Sequence, residues 1–276
     1  CKDEKMYSTI LTKKAEGWLD IWLNRPTFRN ALSTEMVKEL LKVLNITKKE
    51  GGIRGITLRG KDNIFCAGGD LKGFKSVFQN PKTDRKDIEK ASVEIGELLN
   101  VLNTMPQVVV TFVEGAAVAG GMGLMSCGDV VVSTKQALFS LTETTLGIPP
   151  AQIAPFVMAR IGFSASRRLM LTAARFDGEE ALRLGLADFL VNDELEFENL
   201  LKKLKKDIFK AAPKANAKTK SLLFESLHLS AKDFRNHGAQ VFTDCMLDAE
   251  GLEGIASFME KRKPRWTCLL YTSDAA

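Results

Sequence analysis

Three short segments of the sequence carry residue types that could do chemistry. Two are glycine-rich: Phe65-Cys66-Ala67-Gly68-Gly69-Asp70-Leu71 and Gly115-Ala116-Ala117-Val118-Ala119-Gly120-Gly121-Met122-Gly123. Glycine tolerates positive φ and lets a backbone approach a ligand closely. A helix that starts just after such a turn offers free N–H groups and a partial positive charge. Two N–H groups, one from each turn, could polarise a single carbonyl oxygen as an oxyanion hole. The third segment is Leu141-Thr142-Glu143-Thr144-Thr145-Leu146-Gly147-Ile148-Pro149-Pro150. A glutamate in this apolar setting can be partly desolvated, which raises its pKa toward values useful for general acid–base work. Read one at a time, each segment has a plain alternative. The glycines serve tight turns equally well, and Glu143 reads equally as a surface carboxylate or a helix cap.

Other chemistries fail on spacing. The second glycine segment follows a strand but contains no G-x-G-x-x-G, so a dinucleotide loop is excluded. No Gly-Lys-Ser/Thr of a P-loop and no G-x-S-x-G elbow occurs. His228 and His237 sit in a polar stretch and read as surface residues rather than metal ligands. Five cysteines without paired spacing signal neither a disulfide framework nor a zinc site.

The elements that must position these segments are legible from periodicity. Ile10-Leu11 and the alternating Leu19, Ile21 and Leu23 flank Glu16-Gly17 and predict an N-terminal hairpin. Ser33 can cap a helix with Met36, Val37, Leu40, Leu41 and Leu44 on one face. Ile56-Thr57-Leu58 predicts a strand, and residues 74–86 an irregular loop. Ile88, Ala91, Ile95, Leu98, Leu102 and Met105 share a helix face that stops at Pro106. Val108 to Val113 reads as a strand buried on both faces, with Val130-Val132 and Ala137-Phe139 as two more. Alternating strands and helices imply an α/β architecture. From about residue 195 the pattern is wholly helical, and the lysines of Leu200 to Lys206 read as the solvated face of an amphipathic helix. The expected organisation is an α/β core over 6–195 and a helical C-terminal region over 196–266. Met6 reads as the native start and 267–276 as a non-native tail.

The chain has 276 residues, 45% hydrophobic and 26% charged, which allows one large domain with a real core. A formal charge of +5 is too small for a nucleic-acid binder but suits a small anionic ligand met by a local basic patch. No apolar run is long enough to span a bilayer and no signal sequence is recognisable. These features predict a cytoplasmic, reduced protein with no nucleic-acid or membrane partner.

Taken in order and at their spacing, the segments resemble the crotonase (enoyl-CoA hydratase/isomerase) superfamily over about Leu11 to Trp266. The stretches carrying the resemblance are Leu23-Asn24-Arg25-Pro26 with Asn30-Ala31-Leu32, then Phe65 to Lys72, Val113 to Gly123, Glu143 to Pro149, and Phe258-Met259-Glu260-Lys261-Arg262. The resemblance implies a ClpP/crotonase fold of repeated ββα units with a C-terminal helical trimerisation region. It implies an acyl-CoA substrate, with Gly69 and Gly120 donating backbone N–H groups to the thioester oxygen. Ala67, Gly69, Asp70, Leu71 and Lys72 would grip the adenine end of CoA. Arg29 would lie near its phosphates, and Phe258 and Lys261 would contact CoA, often from a neighbouring subunit. Glu143 matches the second of the two glutamates of the standard hydratase, while the first falls on Gly123. The Leu141 to Phe156 stretch is most similar to isohexenylglutaconyl-CoA hydratases. The expected activity is therefore water addition to an α,β-unsaturated, branched, glutaconyl-type acyl-CoA by a homotrimer or dimer of trimers. No metal or redox cofactor is expected, since CoA arrives as part of the substrate. The rivals are a 3-to-2 enoyl-CoA isomerase using Glu143 as proton shuttle, and a non-catalytic RNA-binding homologue.

Overall fold

A computed structural model of the chain describes residues 7–70 and 84–270. The hairpin forms as expected: β1 (Ile10–Ala15) and β2 (Trp18–Leu23) pair antiparallel with Ala15 opposite Trp18. Its two-residue turn, Glu16-Gly17, has φ of +51° and +71°. Positive φ at both positions matches the twist of the flanking strands.

From β2 onward the chain repeats one path. It runs along a strand of a large sheet, then through a short stretch of a small sheet, then into a helix. The clearest turns are β4 (Val108–Val113), β5 (Ala116–Val118) and α3 (Gly120–Ser126), followed by β6 (Val130–Thr134), β7 (Leu138–Ser140) and α4 (Ala154–Thr172). The earlier turns are β2 with α1 (Thr34–Thr47), and β3 (Gly55–Gly60) with α2 (Arg85–Asn103). In those, the small-sheet stretch shrinks to isolated bridges at Leu32, Cys66 and Gly69. The large sheet has the order β1-β2-β3-β4-β6-β8, where β8 is Phe189–Val191, and every pair beyond the hairpin is parallel. The expected loop over 74–86 lies outside the described residues up to 83. Beyond it, Arg85 is already helical, with Asp84 as N-cap accepting from the Lys86 N–H at 3.2 Å.

Strand alternation divides the core into two. Leu19, Ile21, Leu23, Val109, Val113 and Val131 face one cluster, shared with α1, α2, α3 and α4. Trp18, Val110, Phe112 and Val132 face the other, shared with Phe197, Leu201 and Phe209 of α6 (Glu194–Lys210). Phe112 and Phe197 stack at 3.8 Å, and the Arg59 guanidinium lies 5.1 Å from the Phe112 ring while pairing with Glu114 at 2.8 Å. A seven-residue helix, α5 (Gly178–Leu184), precedes β8. Beyond α6, the chain continues as α7 (Pro213–Glu225), α8 (Ala231–Leu247) and α9 (Ala249–Met259). Lys220 of α7 anchors this helical region. Its ammonium donates to the Met105 and Gln107 carbonyls at 2.7 and 2.8 Å and pairs with Asp129 at 2.6 Å. Among the described residues no helix is long and apolar enough to cross a membrane.

At the N-terminal end, buried Glu39 of α1 closes the fold over the start of β1. It accepts from the Ser8 N–H (2.7 Å) and hydroxyl (3.0 Å), from the Thr9 N–H (2.9 Å) and from the Thr9 hydroxyl. Burial alone would raise its pKa, but these donors outweigh it and hold the carboxyl below the ordinary range. A depressed folded-state pKa stabilises above the unfolded value and is lost as pH falls through the folded one. Glu39→Gln should therefore be less stable than the parent at pH 7. The gap in denaturant midpoint should narrow below about pH 4, and a gap independent of pH would show that the charge is irrelevant.

Candidate active site

The small sheet brings the three chemistry-bearing segments to one place. Cys66, Ala117 and Phe139 lie side by side in parallel register. Because all three stretches run the same way, they leave the sheet at the same end. Gly69 lies three residues beyond that row, Gly120 three and Glu143 four. Two glycine turns and a glutamate distant in sequence thus converge at the C-terminal ends of parallel strands, where open α/β sheets usually carry their ligands.

The ladder also aims the backbone. Leu32 N–H donates to the Gly68 carbonyl at 2.8 Å, and Asp70 N–H donates to the Leu32 carbonyl at 3.0 Å. In a parallel ladder the residue between two such bonds turns its own N–H to the other side. The Gly69 N–H therefore points away from Leu32, toward the second turn. The turns touch there: a β-carbon on Gly68 would lie 3.0 Å from the Val118 carbonyl oxygen and 3.5 Å from the Gly120 nitrogen. Among the described residues neither the Gly69 nor the Gly120 N–H has a hydrogen-bond partner. Ala119, just before Gly120, has φ +50° and ψ −120°, with its N–H fixed to the Ser140 carbonyl at 2.8 Å. A residue with a β-carbon held there stores about 1–3 kcal/mol of strain. The conformation sets the direction of the Gly120 N–H.

The loop bearing Arg29 is knitted to the first turn by Asn30 and Arg25. Fully buried Asn30 accepts from the Arg25 N–H at 2.8 Å and donates to the Lys61 and Ile64 carbonyls at 2.9 and 2.6 Å. The Arg25 guanidinium donates to the Ala31 carbonyl at 2.7 Å and pairs with Asp70 at 2.8 Å. This network gives the Asn24-Arg25-Pro26 and Asn30-Ala31-Leu32 stretches a physical purpose, and it places the Asp70 carboxylate in an ion pair within the loop. Ala67 donates its N–H to the Arg29 carbonyl at 3.0 Å. Arg29 and Ala67 border one cleft of about 470 Å³ with Val118, Ser140, Thr142 and Arg175. Leu71 and Lys72 lie outside the described residues. Phe258, near the end of α9, is 82% exposed, and Lys261 follows that helix at φ +52°. Neither lines the cleft of its own chain.

Glu143 opens a single 3-10 turn, Glu143–Leu146. Its Oε2 is buried without a hydrogen-bond partner among the described residues. Burial raises its pKa above the ordinary glutamate range, opposed only in part by a hydrogen bond to backbone. A desolvated carboxylate with one oxygen left without a partner, at the sheet end where free N–H donors emerge, suits proton transfer.

A family model described as enoyl-CoA hydratase/isomerase matches residues 13–268. The chain belongs to the enoyl-CoA hydratase/isomerase family. Its fold is the crotonase fold. It superposes on Pseudomonas aeruginosa AtuE with a TM-score of 0.91 at 43% identity, covering 94% of this chain and 100% of that one. An enoyl-CoA hydratase/isomerase from Marinobacter aquaeolei gives 0.90 at 35% identity, with 94% and 99% covered. The mitochondrial methylglutaconyl-CoA hydratase of Mus musculus is 26% identical over 261 residues, 93% of this chain and 81% of that protein.

Within this family site, one feature escaped the sequence. A β-carbon built on Gly123 would fall 2.3 Å from Ile153 Cγ2 and 2.6 Å from its Cβ. Ile153 is buried at the start of α4, and Gln152 beside it is tied to Ser92 of α2 at 3.0 Å. The space of a carboxylate at position 123 is therefore occupied, not merely vacated. Nothing in the local sequence signals this, because Ile153 reads as an ordinary apolar residue before a helix. Gly123→Glu should lower stability by about 1–3 kcal/mol through overpacking, more if the carboxylate stays charged. Adding Ile153→Ala should recover part of that loss. A denaturant double-mutant cycle checks it, and additivity within about 0.5 kcal/mol would remove the clash.

Proposed function

We propose that the protein adds water to an α,β-unsaturated, branched, glutaconyl-type acyl-CoA, with Glu143 as its single catalytic carboxylate. The observation carrying this reading is the buried, unpartnered Glu143 oxygen at the sheet end where two free N–H groups emerge. The thioester oxygen accepts from Gly69 and Gly120. Glu143 takes a proton from water as the hydroxyl oxygen bonds to Cβ, and charge gathers on the thioester oxygen as an enolate. A proton returned to Cα, from Glu143 or water, restores the thioester. Each oxyanion donor is worth about 3–4 kcal/mol at such a step. The glutaconyl-type acyl group is supported by the Leu141 to Phe156 resemblance and by the named substrate of the mouse relative.

A second reading has an observation in its favour. With Ile153 in the space beside Gly123, one carboxylate must serve alone. Moving a proton between Cα and Cγ, the 3-to-2 isomerisation, needs only one. The ultraviolet spectrum separates the two, since hydration removes the conjugated enoyl-thioester absorbance and isomerisation creates it.

Glu143→Gln should cut turnover by about 10²–10⁴-fold while acyl-CoA affinity, measured by titration, holds. Turnover within a few-fold of the parent would make Glu143 structural. Its stability effect has the opposite sign to that at Glu39. A raised folded-state pKa favours the fold below the ordinary glutamate value, and that advantage is lost as pH rises through the raised value. At pH 7 the neutral glutamine should therefore melt above the parent, with the difference shrinking in acid.

The active assembly under this reading is a homotrimer or a dimer of trimers. Leu223, Leu227, Phe242 and Phe258 stand exposed on or beside the C-terminal helices, an apolar surface that closed symmetry would bury. In such an assembly Phe258 and Lys261 would reach a neighbour's CoA. Light scattering at micromolar concentration should give the mass of three or six chains, and a monomer mass would overturn this.

A further inference from the structure

Alternation along β5 and β7 gives the small sheet an outer face. Ala117 and Phe139 enter the core, while Ala116, Val118, Leu138 and Ser140 line the cleft. The floor is made of small and apolar side chains. Arg29 and Arg175 also border the cleft, and among the described residues no carboxylate lines the space. Both arginines spring from fixed backbone. Arg29 has φ +50° and its carbonyl is held by the Ala67 N–H. Arg175 precedes Phe176, which exchanges backbone hydrogen bonds with Phe139 at 2.9 and 3.1 Å and stacks on its ring at 5.4 Å. Among the described residues neither Arg29 nor Arg175 has a carboxylate partner, in contrast to Arg25, which pairs with Asp70 at 2.8 Å.

Two guanidiniums without carboxylate partners bordering one cleft make it attractive to an anion. Planar forks of N–H donors match phosphoryl oxygens two at a time. We propose that Arg29 and Arg175 form a two-guanidinium clamp on the phosphoryl groups of the CoA moiety, with Arg175 a binding residue in its own right. This rests on the acyl-CoA reading and adds to it the direction in which the substrate leaves the reacting end. The cleft is lined by Ala67, Val118 and Thr142, which precede Gly69, Gly120 and Glu143 by one or two residues in the chain. The small-residue floor suits an uncharged pantetheine arm. Both guanidiniums are exposed to solvent, so they suit the end of the ligand that stays hydrated, whereas a carboxylate on the acyl chain would lie near desolvated Glu143.

The test is a binding titration of the parent, Arg175→Ala and Arg175→Lys, each checked for an unchanged melting curve. The probes are crotonyl-CoA, glutaconyl-CoA and crotonyl-pantetheine, which lacks the phosphates. Arg175→Ala should weaken both CoA esters about tenfold, as loss of a charge-assisted bond does. It should leave crotonyl-pantetheine unchanged and flatten the salt dependence, and Arg175→Lys should recover part of the loss. Parental affinity for the CoA esters in Arg175→Ala would overturn the clamp and leave the acyl-CoA reading standing. An equal loss for crotonyl-pantetheine would overturn it too, as would a loss confined to glutaconyl-CoA, which would move Arg175 to the acyl carboxylate. If the parent binds none of the CoA esters, the acyl-CoA reading itself falls and the clamp with it.

Discussion

The site depends on the parallel register of a very small sheet. Among the described residues only β5 and β7 are strands in it, yet the row through Cys66, Ala117 and Phe139 decides where three separate loops emerge. The same ladder consumes the Gly68 carbonyl and the Asp70 N–H on either side of Gly69 and leaves the Gly69 N–H without a partner among the described residues. Donors placed in this way need no reorganisation when negative charge develops beside them, and this is what makes a backbone oxyanion hole effective. The large sheet and its two core clusters hold the small one still, since Cys66, Ala117 and Phe139 are themselves buried in the larger cluster.

Around that frame, strain and desolvation gather at the same few residues. Ala119 sits in a conformation that suits glycine, and the Glu143 oxygen is buried without a donor. Each lowers stability where the fold could have avoided the loss, and both lie at the sheet end that carries the free N–H groups. Two buried polar side chains that hold the loops are fully engaged. Glu39 meets four donors and buried Asn30 three partners. The contrast separates side chains that hold the loops from a carboxylate oxygen left without a donor.

Much of this was legible in the sequence because it is local. Ser33 caps α1 by accepting from the Met36 N–H. The alternation in β2 predicts which residues are buried, whereas the face read for α2 holds at Leu98 and Leu102, leaves Ile88 exposed and omits buried Leu99 and Val101. The glycine turns announce themselves by composition. What stayed hidden depends on pairs far apart in the chain. The pairing of Asp70 with Arg25, 45 positions earlier, is one such case. Arg175 has no motif around it and gains meaning only when Phe176 pairs with Phe139 and carries it to the cleft. The filling of the space beside Gly123 is a matter of volume, which periodicity does not encode.

That filling shapes the mutational paths open to the protein. A glutamate introduced at position 123 meets Ile153 at once, so the change is harmful in the present background whatever its chemical merit. Shortening Ile153 first opens a cavity in a packed core, which is unfavourable as well. Only the pair together reaches a two-carboxylate site without a misfit. Both one-step neighbours on that route are less stable, so packing alone favours keeping Gly123 in a chain that carries Ile153.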